Sequence, residues 1–471
     1  MTALDHRLVR IVPTPRQKAL QEMAFYAFVH FTVNAFTDRE WGDGTESPAI
    51  FNPEKLDADQ WAQCIKSAGM QGLILTCKHH DGFCLWPSAH TAHSVASSPW
   101  KGGRGDVVAE AAAACKRAGI KFGVYLSPWD RHEPRYGSGK DYDDYFIAQL
   151  TELLTNYGDI FCVWFDGACG EGPNGKKQYY DWPRYYDTIR RLQPEATIHV
   201  CGPDIRWCGN EAGDTREAEW SVVPLRTRDT EKVAENSQQA DDDSFRQRKI
   251  TARDQDLGSR EILRNEAELC WYPAEVNTSI RPGWFWHASE DDQVKPLSQL
   301  IDVYEKSVGG NATFLLNIPP TSEGLFHEND VQRLRAFGRY LADAYSCNLA
   351  DAASLTASSA APGHGIDCAR TEDDSFYLPA REESTAEITL RWETPVTFRR
   401  IVLQEQISQS QRVERYAIDA MTNGQWQEIA AGRVIGHKRI VTLPPTTAQA
   451  LRIRIPDARV APTLRFLGVY A

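Results

Sequence analysis

Between Phe25 and about Tyr345, short apolar runs rich in β-formers alternate with amphipathic stretches, and no other feature narrows the possible folds as much. Parallel strands joined by helices read this way, because each strand is buried on both faces while each helix hides only one stripe. The strand candidates are Phe25–Phe31, Gly72–His80, Lys121–Ser127, Ile160–Gly167, Thr197–Gly202, Trp220–Pro224, Leu269–Tyr272 and Thr313–Ile318. Apolar residues at three-to-four spacing predict helices over Ala58–Ala68, Val107–Ala118, Tyr142–Tyr157, Trp182–Leu192, Leu297–Val308 and Val331–Tyr345. Close to eight strands, with no Gly-rich phosphate loop after the first, favour a (β/α)8-type barrel over a doubly wound sheet.

After about Asn348 the helical periodicity stops. Short alternating runs follow at Ala386–Trp392, Phe398–Gln404, Arg415–Met421, Arg439–Thr442, Leu451–Ile455 and Leu464–Tyr470. This spacing predicts an all-β sandwich. The expected organisation is a barrel over residues 1–347 and a β-sandwich over residues 348–471. The charged, apolar-poor stretch Arg226–Leu263 reads as an excursion over the barrel surface and is assigned no chemistry.

In a barrel of this kind, chemistry collects at the C-terminal ends of the strands. Strand one ends in His30-Phe31, strand two in Lys78-His79-His80-Asp81, strand three in Tyr125-Leu-Ser-Pro-Trp129 and strand four in Trp164-Phe-Asp166-Gly167. Asp166 leaves the apolar run Ile160-Phe-Cys-Val-Trp-Phe, so its carboxylate emerges beside aromatic groups and is placed to act as a nucleophile; the competing role is a turn or helix cap. A retaining cleavage of a glycosidic bond would need a second carboxyl group about 5–5.5 Å away. Glu171, Glu211, Glu217, Glu219 and Glu275 are available. Glu211, in Trp207-Cys-Gly-Asn-Glu211-Ala-Gly213, has aromatic and small neighbours that would partly desolvate it.

Adjacent strand residues point to opposite faces, so His79 and His80 serve one site only if the strand bends or ends there. With His30, Asp81 and Asp166 they offer metal donors, but no His-x-His or His-Glu-x-x-His spacing supports a metal site, and hydroxyl binding is the favoured role. Glu40-Trp41-Gly42-Asp43-Gly44 pairs a carboxylate with an indole, which suits a sugar ring, although Gly-Asp-Gly is also plain turn chemistry. Consecutive aromatics follow a Pro-Gly turn in Arg281-Pro-Gly-Trp284-Phe-Trp286-His287.

Composition removes several alternatives. A net charge of −12 with no strong basic patch disfavours nucleic acid, and no apolar run is long enough to cross a bilayer, so no membrane partner is expected. Fourteen Trp and 17 Tyr are an ample supply of flat amphipathic surfaces for stacking on sugars. Eleven Cys, an odd number scattered without a compact framework, read as reduced and mostly buried. Met1 to Gln17 contains no apolar leader, so the cytoplasm is the expected compartment, or the periplasm or exterior if a leader has been removed. The sequence carries no signal for an oligomeric state.

At these segments the sequence resembles the α-L-fucosidases of glycoside hydrolase family 29. The matching words are Phe28-Val-His30-Phe31, Glu40-Trp41-Gly42, Thr76-Cys-Lys-His79-His80-Asp-Gly-Phe83-Cys-Leu-Trp86, Gly123-Val-Tyr125-Leu-Ser127, Val163-Trp164-Phe165-Asp166-Gly167 and Ser279-Ile-Arg281-Pro-Gly-Trp284. The resemblance implies a retaining hydrolase of terminal α-L-fucose on oligosaccharides or glycoconjugates, with no metal or organic cofactor. It implies Asp166 as nucleophile, a pocket lined by His30, Glu40, Trp41, His79, His80, Tyr125 and Trp164, and Trp284 at its boundary. Gly209-Asn210-Glu211-Ala-Gly213 is similar to the acid/base loop of the subgroup that cleaves α-1,3 and α-1,4 bonds in Lewis-type glycans, which selects Glu211. The C-terminal part resembles the discoidin-like or carbohydrate-binding sandwich often appended to this barrel.

Overall fold

The structure, a computed structural model, describes residues 2–236, 256–380 and 383–471. The strands in chain order are β1 (Phe25–Val29), β2 (Gly72–Lys78), β3 (Lys121–Leu126), β4 (Ile160–Phe165), β5 (Thr197–Val200), β6 (Arg206–Trp207), β7 (Val222–Pro224), β8 (Leu269–Trp271), β9 (Ala274–Ser279) and β10 (Ala312–Asn317). Eight of them form one parallel sheet in the order β5-β4-β3-β2-β1-β10-β9-β6. An isolated parallel bridge between His199 and Ile205, with the Val200 N–H donating to the Ile205 carbonyl at 3.0 Å, brings the two ends together. The ring is therefore a nearly closed barrel, as the strand count predicts.

The helices around it follow their local chemistry. Val107–Ala118 begins where the Asp106 side chain accepts the Ala109 N–H at 2.8 Å and ends at Gly119, whose φ of 69° few other residues adopt. It buries Val107, Val108, Ala111, Ala114 and Cys115, one face at three-to-four spacing. Loss of the Asp106 cap would cost about 1 kcal/mol.

The structure corrects two strands. Trp220–Pro224 and Leu269–Tyr272 have the composition of barrel strands, yet their paired parts, β7 and β8, form a separate antiparallel ribbon. The barrel positions belong to β6 and to β9, whose sequence Ala-Glu-Val-Asn-Thr-Ser is too polar to read as buried. All six β9 residues are nevertheless buried, because Glu275 and Asn277 meet hydrogen-bond donors inside the barrel. Of the charged excursion, residues 237–255 lie outside the described residues.

Beyond the helix Glu328–Ala344 the chain is all-β: β11 (Ser354–Ala357), β12 (Ala386–Gln404), β13 (Val413–Thr422), β14 (Gln425–Gly432), β15 (Arg439–Ala458) and β16 (Phe466–Tyr470). Two pairs of runs that read as separate strands are each one long bent strand, β12 and β15. Pro395 falls in the register gap between Arg391 and Val396, and Pro444 and Pro445 fall between the paired Thr442 and Thr446, so none of these prolines removes a ladder hydrogen bond. This domain has its own apolar core, which includes Ile388, Leu390, Ile418, Leu451 and Ile453. It joins the barrel through Val402, Ile440, Phe466 and Tyr470 packed with Tyr304 and Tyr345, and through Arg400, which donates to Glu305 at 2.5 Å.

All 11 cysteines are free, and eight are buried. Among the described residues no helix is long and apolar enough to cross a membrane.

Candidate active site

The C-terminal ends of the strands surround a cavity. Its walls include His30, Glu40, Trp41, His79, His80, Trp164, Asp166, Glu211 and Trp284. Tyr125, the remaining residue expected there, lies one layer deeper and reaches the cavity through Asp166.

β2 ends at Lys78, and its pairing with β3 shifts between Thr76 and Lys78. His79 and His80 have thus left the alternating pleat, and their ring centroids are 4.1 Å apart in the same wall. Gly82 permits the bend: its φ is +76°, and a Cβ there would stand 2.5 Å from Asp130 Oδ1. Below, Lys78 is fully buried and pairs with Asp130 at 2.8 Å.

Hydrogen bonds fix the histidine tautomers. The Ser127 hydroxyl donates its one proton to the Trp129 carbonyl at 2.6 Å, so at 2.7 Å it accepts from His80 Nδ1. Asn317 uses its amide N–H groups on Ser279 Oγ and the Trp284 carbonyl, so its oxygen accepts from His30 Nδ1 at 2.8 Å. Both rings therefore carry the proton on Nδ1 and present the Nε2 lone pair. Burial pushes His30 down to about 4 and His80 down to about 3, and it lowers His79 well below the ordinary histidine value, so all three are neutral near pH 7. Among the described residues, no hydrogen-bond partner reaches the buried His79 Nδ1. Neutral imidazoles with free lone pairs are acceptors for hydroxyl groups.

Asp166 stands one residue beyond β4. Its Oδ1 accepts the Ala168 N–H at 2.9 Å, and its Oδ2 accepts the Tyr125 hydroxyl at 2.9 Å with His80 Nε2 at 3.7 Å. The turn-capping and cavity-facing roles are thus held by different oxygens of one carboxylate. Burial raises its pKa, and the hydrogen bonds from Ala168 and Tyr125 oppose that rise. One ligand atom each from His79, His80 and Asp166 lie within 4.8 Å of one another, a spacing a metal ion also accepts.

Of the five glutamates, Glu211 alone lines this cavity. Its loop follows β6 and is braced by Asn210, whose side-chain oxygen accepts the N–H groups of Ala212 and Asp214 at 3.0 and 3.2 Å. Glu211 Oε2 accepts the Trp284 indole N–H at 3.0 Å. Glu171 and Glu217 are exposed, and Glu219 is buried between Arg206 and Arg216. Glu275 is fully buried beneath the floor, where it accepts the Trp164 indole N–H at 2.7 Å.

The sequence reading missed Asn277 and gave Trp207 no role. Both line the cavity, and the Trp207 indole donates to Asn277 Oδ1 at 2.9 Å. Trp207 had a signal, its place before the Glu211 loop; Asn277 had none, because its strand was misassigned. Glu40 lines the cavity and is also engaged by the N–H groups of Trp284 and Phe285 and by His287.

The sequence model of the Alpha-L-fucosidase family matches residues 16–344, more than two thirds of the chain. The chain belongs to the α-L-fucosidase family. It is a glycoside hydrolase, and its barrel is the part the family model covers. Alpha-L-fucosidase 1 of Arabidopsis thaliana is 39% identical to this fucosidase, over 98% of this chain and 88% of its own. A putative α-L-fucosidase from Bacteroides ovatus superimposes with a TM-score of 0.85 at 44% identity, covering 100% of this chain and 76% of that one. A Ruminococcus gnavus GH29 fucosidase solved in complex with fucose gives a TM-score of 0.85 at 29% identity, over 98% of this chain and 95% of its own.

Proposed function

We propose that this fucosidase is a retaining exo-enzyme that removes terminal α-1,3- or α-1,4-linked L-fucose from branched glycans. The observation that carries the reading is that Asp166 and Glu211, from loops after different strands, face the same aromatic and histidine-lined cavity. Asp166 attacks the anomeric carbon and forms a fucosyl-enzyme as the leaving oxygen takes a proton from Glu211. Glu211 then takes a proton from water, which displaces Asp166. His30 and His80 supply Nε2 acceptors for the sugar hydroxyls, and Trp41, Trp164 and Trp284 supply ring surfaces.

Mutants test the two roles separately. Asp166→Gly should abolish turnover of an aryl α-L-fucoside, and retained activity would remove the reading. Glu211→Ala should regain activity with azide, which needs no base, whereas Glu217→Ala should keep near-normal turnover without it. Product anomer followed by NMR on a Lewis-type trisaccharide and on 2-linked fucosyllactose decides stereochemistry and linkage together. The grouping of His79, His80 and Asp166 supports one other reading, a metal-dependent hydrolase, which predicts loss of activity on chelation.

A further inference from the structure

Two loops meet behind the cavity wall through five hydrogen-bonded residues. Glu40, after β1, accepts the Trp284 N–H on Oε2 at 2.9 Å and the Phe285 N–H on Oε1 at 3.1 Å. The same Oε1 faces His287 Nε2 at 2.8 Å, and His287 Nδ1 faces Asp38 Oδ1 at 2.6 Å. With a carboxylate against each nitrogen, both nitrogens carry protons and the ring is an imidazolium. The hydrogen bond to Glu40, then that to Asp38, with Glu290 nearby, raises its pKa to about 9 against the opposing effect of burial.

The contact is close. A Cβ on Gly283 would lie 2.6 Å from Glu40 Oε1 and 2.8 Å from His287 Cδ2, so the carboxylate and imidazole occupy the space a side chain would need. The Gly283 N–H is itself held by Glu290 Oε2 at 2.9 Å. Trp284, whose N–H is pinned by Glu40, sends its indole N–H to Glu211 Oε2 at 3.0 Å. Neither Asp38 nor His287 lines the cavity.

We propose that His287 is a positioning residue for proton transfer: by bridging Asp38 and Glu40 it fixes the turn at residues 283–286, and through the Trp284 indole it sets the direction of Glu211. This rests on Glu211 being the acid/base. Without the imidazolium, Glu40 loses a charge-assisted hydrogen bond, the turn loosens, and the acid meets the leaving oxygen less often in productive geometry.

Leaving-group dependence separates this role from general support of the fold. A 4-nitrophenolate departs with little protonic help, while a sugar alkoxide needs it, and kcat/KM reports the fucosylation step for both. Glu211→Ala sets the reference: kcat/KM on a Lewis-type trisaccharide should fall by about 10²–10⁴ and that on 4-nitrophenyl α-L-fucoside by far less. His287→Ala should show the same asymmetry at about tenfold, and Asp38→Asn at a few-fold. Asp38 adopts a φ of 57°, which Asn tolerates, so Asp38→Asn preserves the backbone and decides the matter if His287→Ala does not fold. Equal losses on both substrates, or none, for the His287 and Asp38 variants overturn the positioning role while leaving Glu211 in place. Equal losses for Glu211→Ala overturn the acid/base assignment and the positioning role with it.

Discussion

Asp166 combines two opposed influences in one carboxylate. Burial raises its pKa, while the Ala168 N–H and the Tyr125 hydroxyl favour the ionised form that a nucleophile requires. With Asp166 as the proposed nucleophile, activity should rise with pH as it ionises, and the acid limb should lie above that of an exposed aspartate. Tyr125→Phe removes one of the stabilising donors, so the acid limb of kcat/KM should move up by about one pH unit, since a hydrogen bond to a charged group contributes about 1.5–3 kcal/mol and one unit corresponds to 1.36. His30 at about 4 and His80 at about 3 are already neutral above pH 5 and do not produce such a movement. An unchanged or lowered limb in Tyr125→Phe would show that the hydroxyl does not tune Asp166. The placement of Asp166 was legible because a run of six apolar residues and a glycine bracket it in sequence; its partner Tyr125, 41 positions away, was legible only as another strand end.

At the level of elements, the cavity is assembled from loops whose internal geometry is strict. Gly283 is the clearest case, since the Glu40 carboxylate and the His287 ring both pack against its backbone. Gly283→Ala should displace Glu40 from the turn and lower kcat/KM on aryl fucosides by about tenfold or more, the scale expected when a group near the chemistry shifts by a fraction of an ångström. Thermal unfolding checks that the fold is kept; a kcat/KM close to that of the unmodified enzyme would show that the turn absorbs the methyl group. Strands β1 to β5 and β10 were legible from apolar runs and β-branched residues. β6 and β9 were not, because burial of Glu275 and Asn277 is compensated by Trp164 and Trp207, donors remote in sequence. Conversely, β7 and β8 are apolar because they cover the barrel's flank and pack with Leu8, Leu263 and Ile407.

Over the whole molecule, the β domain is bound to the barrel by apolar packing and by a nearly buried ion pair between Arg400 and Glu305, whose side chains are 8% and 10% exposed. Arg400 also donates to Tyr340 and to the Ala471 carbonyl, so loss of Glu305 leaves it partly satisfied. Glu305→Ala should lower stability by about 2 kcal/mol, below the 3–5 kcal/mol typical of breaking a fully buried pair. Denaturant unfolding measures this, and kcat/KM at 25 °C should be unchanged because Glu305 is remote from the cavity. A stability equal to that of the unmodified enzyme would mean the ion pair contributes nothing to docking.

By itself the sequence determined the alternation that makes a barrel, the change to an all-β chain after it, and the strand-end words that carry His79, His80 and Asp166. Those properties reside in local periodicity and in what a residue must do at the end of its own strand. Tertiary structure alone decided which strands complete the ring, that Asn277 lines the cavity, and that Glu40 is tied to a turn more than 240 positions away. Each of those outcomes depends on whether a buried polar group meets a partner from a distant segment, and that is a property of the closed barrel.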